Sequence, residues 1–125
     1  MQRLARQVGA EGRVEFLGFV SDKETLALYA NALAVYYAPY DEDYGLVTVE
    51  AFKASRAMLT TADSGGVLEF VEDGVNGYVA PDEEDGGVEV LAARMDALYA
   101  DRALAARLGA AGAERVRGIT WARTL

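Results

Sequence analysis

The sequence predicts an α/β fold, a Rossmann-like parallel sheet with helices on both faces. Three observations lead there. Short apolar runs alternate with longer segments of helical patterning along most of the chain. One apolar run, Ala34-Val35-Tyr36-Tyr37, feeds an acidic turn and then a glycine-opened helix, the arrangement in which doubly wound sheets bind phosphates. The chain has 125 residues, 52% hydrophobic, with only two prolines, which suits one domain spanning residues 1–125 with a real core.

Met1 to Ala10 reads as the end of a helix stopping near Gly12, and Val14-Glu15-Phe16-Leu17 as a short strand ended by Gly18. Ser21 with Glu24 three residues on forms a capping-box signature, so a helix is expected from about Asp22 to Asn31, with Leu26, Leu28, Tyr29 and Ala32 supplying one buried face. The continuous apolar run Leu33 to Tyr37 predicts a strand buried on both faces. A helix follows from Gly45 or Leu46 to about Ser55, and Ala57 to Thr61 is the next strand. Asp63 to Gly66 is a turn, Val67 to Val71 a short helix, and Asp73 to Gly77 a second turn leading to a strand at Tyr78-Val79. Pro81 to Gly87 is an acidic loop. Two helices close the chain, about Val88 to Tyr99 and Ala103 to Arg117, the second N-capped by Asp101. Trp121 and the tyrosines, Tyr36 and Tyr37 among them, read as core rather than as stacking platforms.

Composition narrows the chemistry. The formal net charge is −8, which argues against a nucleic-acid partner and for a soluble, cytoplasmic surface. With neither cysteine nor histidine, thiolate nucleophiles, serine–histidine triads and most zinc sites are excluded. No run approaches the roughly 20 apolar residues of a membrane span, and the N-terminus lacks the apolar core of a signal peptide. A receiver domain would need a lysine at the end of a late strand, and neither Lys23 nor Lys53 is so placed. A nicotinamide-binding domain would need Gly-x-Gly-x-x-Gly after its first strand, which is absent.

The candidate site is the run Ala38-Pro39-Tyr40-Asp41-Glu42-Asp43-Tyr44-Gly45-Leu46-Val47-Thr48-Val49-Glu50-Ala51-Phe52. Ligands of a parallel sheet gather beyond the carboxyl ends of its strands, so Pro39 to Gly45 and Ala62 to Gly66 should wall one cleft. The free amides of Gly45, Leu46 and Val47, with the positive end of the helix dipole, favour phosphate there. Glu42 lies before the helix and can reach the cleft. Glu50, more than one turn inside, can accept two hydrogen bonds from a vicinal diol such as a ribose. Two glutamates eight positions apart also arise by chance in so acidic a chain, and Asp41 to Asp43 also read as a solvated turn. Three adjacent acids on a turn rarely converge, so no metal is expected.

Glu42 and Glu50, with seven residues between them that include Tyr44-Gly45-Leu46-Val47, resemble the hallmark of a family of retaining nucleotide-sugar glycosyltransferases, the glycosyl transferases of group 1. Val14 to Val20, Asp63 to Val71, Asp73 to Val79 and the stretch from Asp101 through Arg117 to Trp121 resemble further family segments in the same order. The family has two Rossmann-like domains facing a cleft, the second of which binds the nucleotide sugar. The resemblance implies that this chain is the C-terminal, donor-binding part. It implies Glu50 on the ribose hydroxyls and the amides of Gly45, Leu46 and Val47 facing the diphosphate. Glu42 would be the catalytic residue beside the donor sugar, Phe19, Val20 and Ser21 would border the base, and Gly65 and Gly66 the sugar. The reaction implied is transfer of a sugar from a nucleoside diphosphate to a sugar or lipid acceptor with retained configuration, with no cofactor and no metal, in the cytoplasm and peripheral to the membrane in the intact enzyme.

The chain departs from the pattern in places. Ser55 and Ala57 stand where relatives usually have glycine and proline, so the helix lacks its customary glycine stop. Val67 stands where proline is frequent. The first two strands of the family's donor domain, the basic clamp that follows one of them, and the acceptor domain are expected to be absent. The sheet is then incomplete, and the isolated chain is expected to be inactive, its exposed strand edges pairing with the missing N-terminal part or a second copy. A non-catalytic nucleotide-binding or assembly module is the alternative.

Overall fold

The computed structural model describes residues 2–41 and 45–119. Five α-helices and three strands run in the order α1 (Gln2–Gln7), α2 (Asp22–Asn31), β1 (Ala34–Tyr36), α3 (Leu46–Lys53), β2 (Ala57–Thr61), β3 (Gly77–Ala80), α4 (Gly87–Ala100) and α5 (Arg102–Arg115), with short 3₁₀ turns between some of them. The sheet is parallel, ordered β1-β2-β3, with Val35 opposite Met58 and Leu59 opposite Tyr78.

The side-chain alternation of β2 separates two cores. Met58 packs on one face with Val49, Ala51 and Phe52 of α3, and with Val67, Val71 and Val116. Ala57 and Leu59 pack on the other face with Leu98 of α4 and with Ala105 and Leu108 of α5. Both faces of β2 are therefore covered, and its first four residues are buried, as a central parallel strand requires.

The helix ends follow local chemistry. Ser21 Oγ accepts from the Glu24 amide at 3.1 Å while the Glu24 carboxylate accepts from the Ser21 amide at 3.2 Å, the expected capping box of α2. Asp101 caps α5 by accepting from the Leu104 amide at 3.1 Å. The turn before β3 is held by Asn76, which accepts from the Glu72 amide and donates to the Phe70 carbonyl, and by Asp73, which accepts from the Val79 amide. At the end of α3, Ser55 takes the place of a glycine stop. It adopts a left-handed conformation, φ +59°. Its amide bonds to the Phe52 carbonyl at 2.9 Å and the Arg56 amide to the Ala51 carbonyl at 3.0 Å. This is the two-bond Schellman closure, made with a serine.

Four expectations are corrected. Val14 to Leu17 is not a strand. A strand exists only by backbone pairing, and no described strand lies beside this segment, so Phe16 and Leu17 stay over 40% exposed. The helix α2 buries no residue, because nothing among the described elements packs closely on its apolar face. The strand β1 is shorter than expected and only partly covered, since it pairs on one side alone: Tyr36 is 51% exposed rather than core. The last helix ends at Arg115, and Val116 to Gly118 are in a turn. Tyr37 does pack against the first core. Trp121 lies outside the described residues.

Candidate functional site at the opening of α3

The two turns expected to wall one cleft do meet. The Asp41 amide donates to the Asp63 carbonyl at 2.8 Å, tying the acidic turn after β1 to the turn after β2. Gly45, buried, stands at the N-cap of α3, where a β-carbon would lie 3.0 Å from the Phe70 ring and 3.1 Å from the Gly66 carbonyl oxygen. Only glycine fits this approach without displacing that wall. Gly45 and Gly66 are thus neighbours, and Gly65 turns the chain between them and β2 with φ +74°. The turn is braced by Ser64, whose buried hydroxyl donates to the Thr61 carbonyl at 2.7 Å and shares a 2.5 Å hydrogen bond with Thr60.

The first intrahelical acceptor is the Gly45 carbonyl, taken by the Val49 amide at 3.0 Å. The amides of Leu46, Val47 and Thr48 precede it and have no partner within the helix. Thr48 Oγ1 is fully buried and has no hydrogen-bond partner in the structure. Phe70, against Gly45, carries the Arg115 guanidinium 5.4 Å from its ring centroid, and Arg115 also donates to the Glu69 carbonyl at 2.8 Å. A cation from the far end of the chain therefore lies beside this turn, near which the local sequence shows mainly acids.

Glu50 is half-buried, one turn further along α3. It lines a cleft of about 310 Å³ with Asp22, Thr25 and Leu26 of α2 and with Lys53. Burial first, then the neighbouring Glu50 carboxylate, push the Tyr29 phenol up to about 12. Lys53 is occupied by the Ile119 carbonyl, and Arg56 by the carbonyls of Ala32 and Ala54, so both bases brace the far end of α3.

Not every candidate joins this group. Phe19, 96% exposed, and Val20 line a separate apolar groove with Leu17, Glu24, Ala27, Leu28 and Asn31. Residues 24, 27, 28 and 31 lie on the face of α2 opposite residues 22, 25, 26 and 29, so this groove and the Glu50 cleft are on opposite sides of the helix. Ser21 is committed to its cap. Glu42 lies outside the described residues. Among the described residues, no three acidic side chains converge to hold a metal ion, and no helix is long and apolar enough to cross a membrane.

A parallel α/β sheet covered by helices on both faces, with a glycine-opened helix at its carboxyl end and two turns joined across that opening, is the architecture of Rossmann-like domains. The particular family follows from comparison: residues 1–115 match the glycosyl transferases group 1, and the chain belongs to that family. It is 32% identical over 121 residues to the D-inositol 3-phosphate glycosyltransferase of Nocardia farcinica, a match that covers 97% of this chain but only 26% of that protein. Among solved structures it resembles the C-terminal domain of a group 1 family glycosyl transferase (LpcC) from Francisella tularensis. The TM-score is 0.80 and the identity 25%, over 92% of this chain and 57% of that one. It also resembles Anabaena Alr3699/HepE in complex with UDP-glucose, with TM-score 0.64 and 28% identity over 91% of this chain and 31% of that one. The chain thus spans from about a quarter to somewhat over half of the length of these proteins.

Proposed function

We propose that this chain is the donor-binding part of a retaining glycosyltransferase, holding a nucleoside-diphosphate sugar at the opening of α3. One observation carries the reading. Gly45 packs against the Gly66 backbone, so the unpaired amides of Leu46 and Val47 open between the two turns, with the Glu50 carboxylate lining a cleft one turn on. Those amides and the helix dipole favour the diphosphate, and Glu50 accepts from the ribose diol. The backbone of Gly65 and Gly66 borders the donor sugar. Glu42 is assigned the role beside the reacting carbon from its place in the motif. Catalysis in the intact enzyme is then positioning and stabilisation of the departing diphosphate, with no metal. The UDP-glucose complex of the Anabaena relative supports a nucleotide-sugar ligand. Transfer to a sugar or lipid acceptor belongs to the whole enzyme, with the part that completes it supplied by an N-terminal domain.

Calorimetric titration with UDP, GDP and ADP tests the reading. Saturable binding of one of them, lost in Glu50→Ala, is the expected result. Equal behaviour of wild type and variant towards all three would remove Glu50 from the site.

A second reading, an assembly module without catalysis, is favoured by one specific observation: Phe16, Leu17, Phe19 and Leu28 are exposed together on the N-terminal third of the chain. Sedimentation equilibrium separates the two, because self-association without nucleotide binding supports assembly alone.

A further inference from the structure

A cleft of about 500 Å³ lies at the end of the sheet opposite the opening of α3. Its place follows from the topology. Leu33 leads into β1 and Arg56 into β2, so both stand at the amino ends of parallel strands, while the two turns around Gly45 follow the carboxyl ends. Tyr99 near the end of α4, with Arg102 and Ala105 at the start of α5, supplies the other wall.

The charge of this cleft runs against that of the chain. Acids outnumber bases by 20 to 12 in the sequence, yet the charged side chains lining the cleft are Arg56 and Arg102. Among the described residues neither is in an ion pair. Arg56 is half-buried and fixed: its Nε donates to the Ala54 carbonyl at 3.1 Å and its Nη1 to the Ala32 carbonyl at 3.0 Å. Ala32 itself lines the cleft, so the guanidinium stands at its wall, with further N–H donors beyond the two so used. A side chain already held in one rotamer has little freedom left to lose when a ligand binds. The Arg102 guanidinium lies 5.8 Å from the Tyr99 ring centroid, and its sequence neighbour Asp101 accepts from the Leu104 amide. Bracing the helix end accounts for Arg56, but not for a second, exposed arginine beside it. Two forks in one cleft suit an anion with several oxygens, as a phosphate monoester dianion offers. Leu33, Ala105 and the Tyr99 ring add apolar surface, and the volume exceeds that of a bare oxyanion.

We propose that this cleft is a second ligand site, for a phosphate monoester whose dianion bridges Arg56 and Arg102 and whose organic body lies against Leu33, Ala105 and Tyr99. The site stands apart from the opening of α3 and does not depend on the role of Glu50. A soluble phosphate ester and a phosphomonoester lipid headgroup carry the same group, and the test separates them.

Glycerol 3-phosphate is titrated into the whole chain at fixed ionic strength, with glycerol as the uncharged control. Backbone amides of Leu33, Arg56 and Ala105 and the Nε–H signals of Arg56 and Arg102 are followed by NMR. These signals should shift together and saturate with the phosphate ester and stay still with glycerol. Arg102→Gln should weaken the binding roughly tenfold or more. Arg107→Gln, which removes an exposed arginine of α5 outside the cleft, should change it less than about twofold. Equal weakening in both variants would mean diffuse charge attraction and overturn the proposal. Shifts confined to Gly45, Leu46 and Val47, or no saturable shift at either arginine of the wild type, would overturn it too. Co-sedimentation with phosphatidylcholine vesicles containing phosphatidate, lost in Arg102→Gln and kept in Arg107→Gln, would assign the site to a lipid headgroup. Binding of glycerol 3-phosphate without co-sedimentation would assign it to a soluble ester.

Discussion

Replacing Ser55 by glycine should stabilise this protein. Ser55 ends α3 in the left-handed region at φ +59°, where an L-residue pays about 1–2 kcal/mol for the approach of its β-carbon to the following carbonyl. Glycine pays nothing there but loses more freedom on folding, about 0.5–1 kcal/mol. The side chain is exposed and has no hydrogen bond in the structure to forfeit. The two backbone bonds that close the helix, from the Ser55 and Arg56 amides, are kept. The difference leaves a gain of about 0.5–1 kcal/mol. With a urea m-value near 1.5 kcal/mol/M, the midpoint should rise by roughly 0.3–0.7 M at constant slope. Ser55→Ala is the control, since it keeps the β-carbon and should stay within about 0.5 kcal/mol of wild type. A Ser55→Gly midpoint equal to or below wild type would refute the argument that left-handed strain sits at this helix end.

Other substitutions probe the packing around the site. In Gly109→Ala the new β-carbon would lie 2.0 Å from the Ser55 carbonyl oxygen, and backbone cannot yield as a side chain can. A loss of about 3 kcal/mol is expected by thermal unfolding, the upper end of overpacking costs. Thr48→Val removes a buried hydroxyl that has no partner at nearly constant volume, so stability should rise by about 1 kcal/mol; a fall would mean that the hydroxyl is satisfied in solution. Glu24 is held below its ordinary value of 4.5, first by the Ser21 backbone and then by its side chain. A depressed carboxylate stabilises above its unfolded value and loses that effect as pH falls through its folded one. Amide exchange at the start of α2 should therefore stay slow until the pH drops below the usual glutamate range, and Ser21→Ala should move that loss to higher pH.

The sequence was most legible where the determining contacts are local. The caps at Ser21 and Asp101, the strand Ala57 to Thr61 and the glycine opening at Gly45 each depend on residues within a few positions, and each was found where expected. Val14 to Leu17 was not, because strand propensity gains nothing without a neighbour to complete the ladder. The apolar positions of α2 failed for the same kind of reason, since no described element packs closely enough to bury any of them. In the site, Gly45 and Glu50 are legible because the motif is contiguous. The α2 wall of the Glu50 cleft, the Arg115 guanidinium over Phe70 and the Ser55–Gly109 contact are tertiary juxtapositions with no local signature. Phe19 and Val20, placed near the base by resemblance, lie in this structure in a groove on the opposite side of α2 from Glu50.

The most direct test of the donor-site account is a backbone amide NMR titration of the chain with UDP, repeated on Glu50→Ala. The account predicts shifts clustered at Gly45 to Glu50 and at Gly65 and Gly66, saturating with one affinity and largely lost in the variant. Shifts scattered over the surface, or a Gly45-to-Glu50 response that survives the loss of Glu50, would contradict it.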